Sequence, residues 1–157
     1  MLLRNTNMKL CVCLLVLLGF TFSEIDGATI QREKRSSLEL IRVASKYIGL
    51  SNVIKLNGYG CFCGIGRRGN TPIDVIDKCC QTHDYCYIAA KQGNWWTRQC
   101  KIDFKFVPYK FSCSGSSCSC KDSSSSCAGQ ACKCDVAFAE CVKSNWGSYN
   151  RGNLDRC

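Results

Sequence analysis

From Ser37 to Ile48, Leu38, Ile41, Ala44, Ser45 and Ile48 fall on one stripe, with Arg42 and Lys46 off it. That three-to-four-residue spacing predicts an amphipathic opening helix. The next segment, Asn57 to Gly66, is dense in glycine; regular structure is disfavoured there and unusual backbone angles are allowed, so a shaped loop is expected. Beyond it, Pro72 suits a first helical turn, and Val75 to about Gln92 contains neither proline nor glycine. This predicts a long helix ended by Gly93. Lys101 to Ser112 mixes aromatics, Val107 and charges in a manner that suits a short hairpin, and the Ser-rich, Cys-punctuated stretch Ser114 to Ser126 reads as a loop or irregular ribbon. A second long helix is expected over Gln130 to Trp146, and no internal repeat is visible.

The N-terminal region has a different character. A cationic start at Lys9 leads into an apolar run ending at Phe20, too short to span a bilayer, as in a secretory signal peptide. The expected organisation is a signal peptide over residues 1–28, cleaved between 23 and 28, a propeptide over 29–35 ending in Lys34-Arg35, and one domain over 36–157. A solvated basic patch at a flexible terminus is the other reading of Lys34-Arg35. Secretion to the extracellular space follows from the first.

Cysteine usage agrees with that route. Of 16 cysteines, Cys11 and Cys13 lie in the leader and 14 run from Cys61 to Cys157, an even number in a small chain sent to an oxidising compartment. Seven disulfides are the natural expectation. A zinc cluster fits poorly, since the spacings do not repeat and His83 is the only histidine. Removing residues 1–35 takes five basic and three acidic residues from totals of 21 and 12, leaving 16 and 9, a net charge of +7. Anionic membranes, nucleic acids and sulfated glycans all suit that balance; without a nucleic-acid motif, the expected partner is an anionic phospholipid surface. The expected state is a monomer or weak oligomer.

The chemistry-bearing residues lie in Cys79-Cys80-Gln81-Thr82-His83-Asp84-Tyr85-Cys86-Tyr87. Cysteines on either side of His83 and Asp84 pin the helix that carries them. Adjacent helical residues diverge by about 100°, so the two side chains serve adjacent functions rather than one atom. Imidazole suits proton abstraction from water, and a carboxylate beside a glycine-rich loop suits a hard cation such as calcium, which takes about 6–8 oxygens, backbone carbonyls among them. An ordinary polar helix surface remains the alternative for an isolated His-Asp pair.

Tyr59-Gly60-Cys61-Phe62-Cys63-Gly64-Ile65-Gly66 is similar to the calcium loop of the secreted calcium-dependent phospholipases A2 of pancreatic and venom type. Cys79 to Tyr87 resembles their catalytic helix, and Cys132-Lys133-Cys134-Asp135 resembles their second-helix CxCD. The resemblance covers about Leu38 to Cys157. It implies a mainly α, disulfide-rich fold of two long antiparallel disulfide-linked helices, an N-terminal amphipathic helix, the glycine-rich calcium loop and a small β-hairpin. It further implies Ca2+ held by the carbonyls of Phe62, Gly64 and Gly66 and the carboxylate of Asp84, His83 as general base, Asp135 on the far nitrogen of His83, and Tyr87 and Tyr109 supporting that aspartate. The implied reaction is hydrolysis of the sn-2 ester of a glycerophospholipid by water, with calcium and a backbone N–H near Gly64 meeting the oxyanion. The implied pairings are Cys61–Cys157, Cys63–Cys80, Cys79–Cys141, Cys86–Cys134, Cys100–Cys127 and Cys120–Cys132.

Three departures from the family pattern matter. Cys113 stands where many relatives bridge to an N-terminal cysteine that this chain lacks, so a local Cys113–Cys118 bridge is expected. Arg67 and Arg68 follow the last loop ligand where glycine is usual, and bear on calcium affinity. Asn94-Trp95-Trp96-Thr97-Arg98 suits a bilayer interface or packing under a loop, and Leu38 and Ile41 either line an acyl channel, as the resemblance implies, or fill the core. The rival to a lipid hydrolase is a non-catalytic receptor- or membrane-binding toxin component on the same scaffold; a basic antimicrobial protein is a third.

Overall fold

Glycine at 49 ends the opening helix of this chain. In a computed structural model, which describes residues 38–64, 66, 69–92, 100–101 and 103–157, α1 covers 38–48, Gly49 adopts a φ of 81°, and α2 follows at Leu50–Lys55. The expected leader and propeptide, Arg67, Arg68 and Asn94 to Arg98 lie outside the described residues. The buried face of α1 is turned from the predicted stripe: Val43, Ala44 and Tyr47 are buried, Ile41, Ser45 and Ile48 are half-buried, and Leu38 is exposed. Polar contacts account for the rotation. The Tyr47 hydroxyl accepts from the Cys118 N–H at 2.9 Å and donates to Glu140 at 3.3 Å, drawing that side of α1 inward.

The first long helix, α3, spans Val75–Gln92 as its uninterrupted sequence predicts. Pro72 stands outside it. Asp74 is the residue that opens the helix, its carboxylate accepting the Asp77 N–H at 2.8 Å, as an N-cap does. The second, α4, spans Cys127–Asn145, starting three residues before the predicted position. Ser126 caps it by accepting the Gly129 N–H at 3.0 Å. Glycine at 129 is required by packing, because a Cβ there would sit 2.0 Å from the Ser123 carbonyl oxygen.

Two disulfides, Cys79–Cys141 and Cys86–Cys134, join α3 to α4. The lower number on one helix pairs with the higher on the other, so the helices run antiparallel. Each pair of rungs is seven residues apart, about 10 Å of helix. His83 lies between the rungs and Asp135 directly follows one of them.

The hairpin departs from expectation. Residues Phe104–Phe106 form a 3-10 turn, with Phe104 buried, and the strands lie further on, β1 at Phe111–Ser114 and β2 at Ser117–Cys120. The serine-rich segment is weakly β-forming by composition, but Cys113 and Cys118 face each other across the antiparallel register and are bridged, which pairs the strands covalently. All 14 cysteines from Cys61 onward are paired: besides these three bridges, Cys61–Cys157, Cys63–Cys80, Cys100–Cys127 and Cys120–Cys132 are formed.

The described residues form two apolar clusters. Val43, Tyr47, Phe104, Val107, Tyr109 and Ala139 meet between α1, the 3-10 turn and α4. Leu56, Tyr59, Phe62, Ile76 and Val142 meet under the glycine-rich loop together with Cys61, Cys63, Cys79 and Cys80. Half-cystines thus serve as core side chains, and cross-linking compensates for the small apolar interior.

Candidate active site

The disulfide rungs bring His83 of α3 against Asp135 of α4. His83 Nε2 lies 2.7 Å from Asp135 Oδ1, and the Tyr87 hydroxyl donates to the same oxygen at 2.5 Å. The Tyr109 hydroxyl donates to Oδ2 at 2.5 Å. Asp135 is fully buried, so these contacts replace its lost hydration. A carboxylate can only accept here, so the imidazole donates from Nε2, which in the neutral ring leaves the lone pair on Nδ1. The four residues that the resemblance assigns to the catalytic set therefore meet at the Asp135 carboxylate.

Burial, and next the negative charge of Asp135, push the Tyr87 and Tyr109 hydroxyls well above the ordinary tyrosine range. Both remain protonated donors at neutral pH. The His83 ring packs in tilted contact with Tyr87, centroids 4.4 Å apart, and with Phe138, 4.9 Å apart. Phe138 was not singled out from sequence. Its spacing of three from Asp135 on a helix is the signal that places both on one side of α4.

The loop from Asn57 to Gly66 is shaped from several sides. Gly60 N–H donates to the Asn153 carbonyl at 2.9 Å, Asp155 N–H donates to the Gly58 carbonyl at 2.8 Å, and Tyr59 bridges Leu154. The Tyr59 hydroxyl bonds Asp74, which also accepts from Asn153 Nδ2 at 2.8 Å. Asp77, fully buried, accepts the N–H groups of Cys61 at 2.9 Å, Phe62 at 2.8 Å and Ile73 at 3.0 Å. Gly60 sits against this carboxylate at a φ of 57°, and a Cβ there would be 2.3 Å from Asp77 Cγ. Neither Asp74 nor Asp77 was picked out from sequence; the Asp-x-x-Asp spacing at a helix start was the available signal.

Peptide planarity converts these bonds into carbonyl directions. Cys63 N–H donates to the Tyr59 carbonyl at 3.2 Å, and the Cys63 carbonyl accepts from Gly58 N–H at 3.0 Å. In a trans peptide, N–H and C=O point oppositely. The Phe62 carbonyl and the Gly64 N–H therefore face away from the Gly58-Tyr59 limb. Gly64 and Gly66 adopt φ values of 123° and 76°, open to glycine and strained for other residues.

Cys63 is bridged to Cys80, one helical turn before Asp84, with Cα atoms 5.1 Å apart. The loop and the Asp84 region of α3 are tied together by that link. Among the described residues no group of three or more His, Cys, Asp or Glu side chains forms a metal cluster. A hard cation such as calcium also accepts backbone carbonyls, a kind of donor that such a side-chain grouping does not include.

Comparison with known proteins gives a consistent result. A family model described as Phospholipase A2 matches residues 37–153. The chain is similar to "Phospholipase A2, membrane associated" of Cavia porcellus, with 35% identity over 144 residues covering 92% of this chain and 88% of the relative. It is likewise similar to the protein of that name from Homo sapiens, with 35% identity over 161 residues covering 96% and 100%. "Basic phospholipase A2 nigroxin A" of Micrurus nigrocinctus is 38% identical over 101 residues, covering 64% and 78%.

Proposed function

The chain belongs to the phospholipase A2 family and is a phospholipid-hydrolysing enzyme, and from that premise we propose calcium-dependent hydrolysis of the sn-2 ester, with His83 as general base. The observation that carries the proposal is the convergence of His83 Nε2, Tyr87 and Tyr109 on the buried carboxylate of Asp135. With Nε2 donating to Asp135, Nδ1 takes a proton from water as the water adds to the ester carbonyl; the C–O bond to glycerol then breaks, Nδ1 returns the proton to the departing glycerol oxygen, and fatty acid and lysophospholipid leave. Asp135 fixes the tautomer and stabilises the imidazolium as it forms. Tyr87 and Tyr109 hold Asp135 in place.

Phe62, Gly64 and Gly66, through their carbonyls, and Asp84, through its carboxylate, are the residues proposed to hold Ca2+. When bound, calcium supplies a fixed positive charge for the lipid phosphate and the ester oxygen. The Gly64 N–H faces away from the Gly58 limb and is suited to donate to the same oxygen in the transition state.

Seven disulfides support secretion to an oxidising compartment. Among the described residues no helix is long and apolar enough to cross a membrane. We assign an anionic phospholipid surface as the partner, on the basis of the charge of +7 over residues 36–157 together with exposed Leu38, Leu50 and Ile54. The experiment is fatty-acid release from mixed phospholipid vesicles, with calcium or excess chelator, for the parent and His83→Gln. Release by the parent in calcium alone is expected; equal release in all four conditions refutes the catalytic reading.

A further inference from the structure

Asp77 is a buried carboxylate that the reaction does not use. It takes three backbone N–H groups, two on Oδ2 from Cys61 and Ile73 and one on Oδ1 from Phe62, and no ion pair with lysine or arginine accompanies it among the described residues. A buried charge without a counterion persists only where donors converge on it, and here the amides and the first turn of α3 supply the compensation. Such a device organises the donors as much as the acceptor. Cys61 and Phe62 are thereby fastened to the start of α3, on the same limb whose Phe62 carbonyl faces away from Gly58 and Tyr59.

Carbonyls assembled around a cation repel one another when the cation is absent, so a loop without an anchor opens and must be reordered at each binding event. We propose that Asp77 is a positioning residue that holds the Cys61-Phe62 limb in its cation-binding shape before a cation arrives. This rests on the calcium reading above and adds to it a residue that touches neither ion nor substrate. Asp77→Asn is the sensitive change. Whichever way the amide turns, its NH2 faces either the Phe62 N–H or the N–H groups of Cys61 and Ile73, and a backbone N–H cannot reverse its role.

The test is calorimetric titration of calcium chloride into the calcium-free parent and Asp77→Asn, with kcat measured at saturating calcium and melting measured in chelator. Asp77→Asn is expected to weaken calcium binding about 10–100-fold, the range found for groups that orient metal ligands, while kcat at saturation stays within about threefold. A folded variant with unchanged calcium affinity overturns the proposal, whereas a parent that binds no calcium overturns the calcium reading instead. Amide hydrogen exchange of the parent decides the matter if the variant fails to fold. Cys61 and Phe62 amides are expected to be protected in chelator; protection that appears only with calcium shows that the ion shapes the loop and overturns the proposal.

Discussion

Replacing Asp135 by asparagine separates two contributions that the aspartate makes to His83. Oδ1 receives two donors, from His83 Nε2 and Tyr87, while Oδ2 receives one, from Tyr109. The asparagine oxygen is therefore expected at the Oδ1 position, with the NH2 toward Tyr109, whose hydroxyl can rotate to accept. In that orientation the Nε2–H tautomer survives and only the negative charge is lost. A hydrogen bond to a charged group contributes about 1.5–3 kcal/mol against about 0.5–1.5 for a neutral one, so the imidazolium loses about 1–1.5 kcal/mol from this bond and somewhat more from the missing charge. At about 1.4 kcal/mol per tenfold, kcat should fall about 10–100-fold. The opposite orientation would invert the tautomer, with a loss of about 10⁴. The assay is initial-rate fatty-acid release at saturating calcium and lipid, together with nitrogen-15 NMR of the imidazole, unambiguous because His83 is the only histidine. Full activity in Asp135→Asn, or a parent carrying its proton on Nδ1, would refute the reasoning.

Further expectations follow from other parts of the molecule. Unfolding exposes Tyr87 and Tyr109, which then ionise near 10, whereas burial keeps them protonated in the native state. Above that pH the unfolded chain binds fewer protons, so stability should fall by about 1.4 kcal/mol per pH unit for each, and their tyrosinate absorbance should appear only on unfolding; early ionisation of both would contradict this. Removing both cysteines of Cys113–Cys118, five residues apart, should cost about 2 kcal/mol in denaturant melts, and removing Cys61 with Cys157, 96 apart, about 5 kcal/mol. Equal losses would count against the loop-entropy argument. Gly60→Ala and Gly115→Ala both place alanine at positive φ, 57° and 58°, at about 1–2 kcal/mol each, but only Gly60 has Asp77 in the way. Gly60→Ala should be clearly the more destabilising in thermal melts, and equal melting points would show that the Asp77 contact yields freely.

The long helices were legible in the chain for local reasons, while the partners of the Cys79–Tyr87 segment were implied by the family resemblance. Val75 to Gln92 lacks helix breakers, and His83, Asp84 and Asp135 lie in cysteine-bracketed motifs whose spacing is itself the signal. The start of α4 was less legible, because Ser126 is one serine in a run and its capping role depends on Gly129 fitting under Ser123. The hairpin was displaced for a similar reason. Phe111 to Cys120 has little β-propensity of its own, and the Cys113–Cys118 bridge determines its pairing.

Taken alone, the sequence determined the elements whose cause is short-range: two uninterrupted helices, a glycine-rich loop, an even set of cysteines, and the residue types for a base and a hard-cation site. Tertiary structure alone decided which face of α1 is buried, which oxygen of Asp135 meets His83, and that Asp77 fastens the loop. Those outcomes depend on groups far apart in the chain, Tyr47 with Cys118, His83 with Asp135, and Phe62 with Asp77. Periodicity and propensity act over one or two turns, whereas a hydrogen bond between distant segments forms only where packing and disulfides have already brought donor and acceptor within about 3 Å.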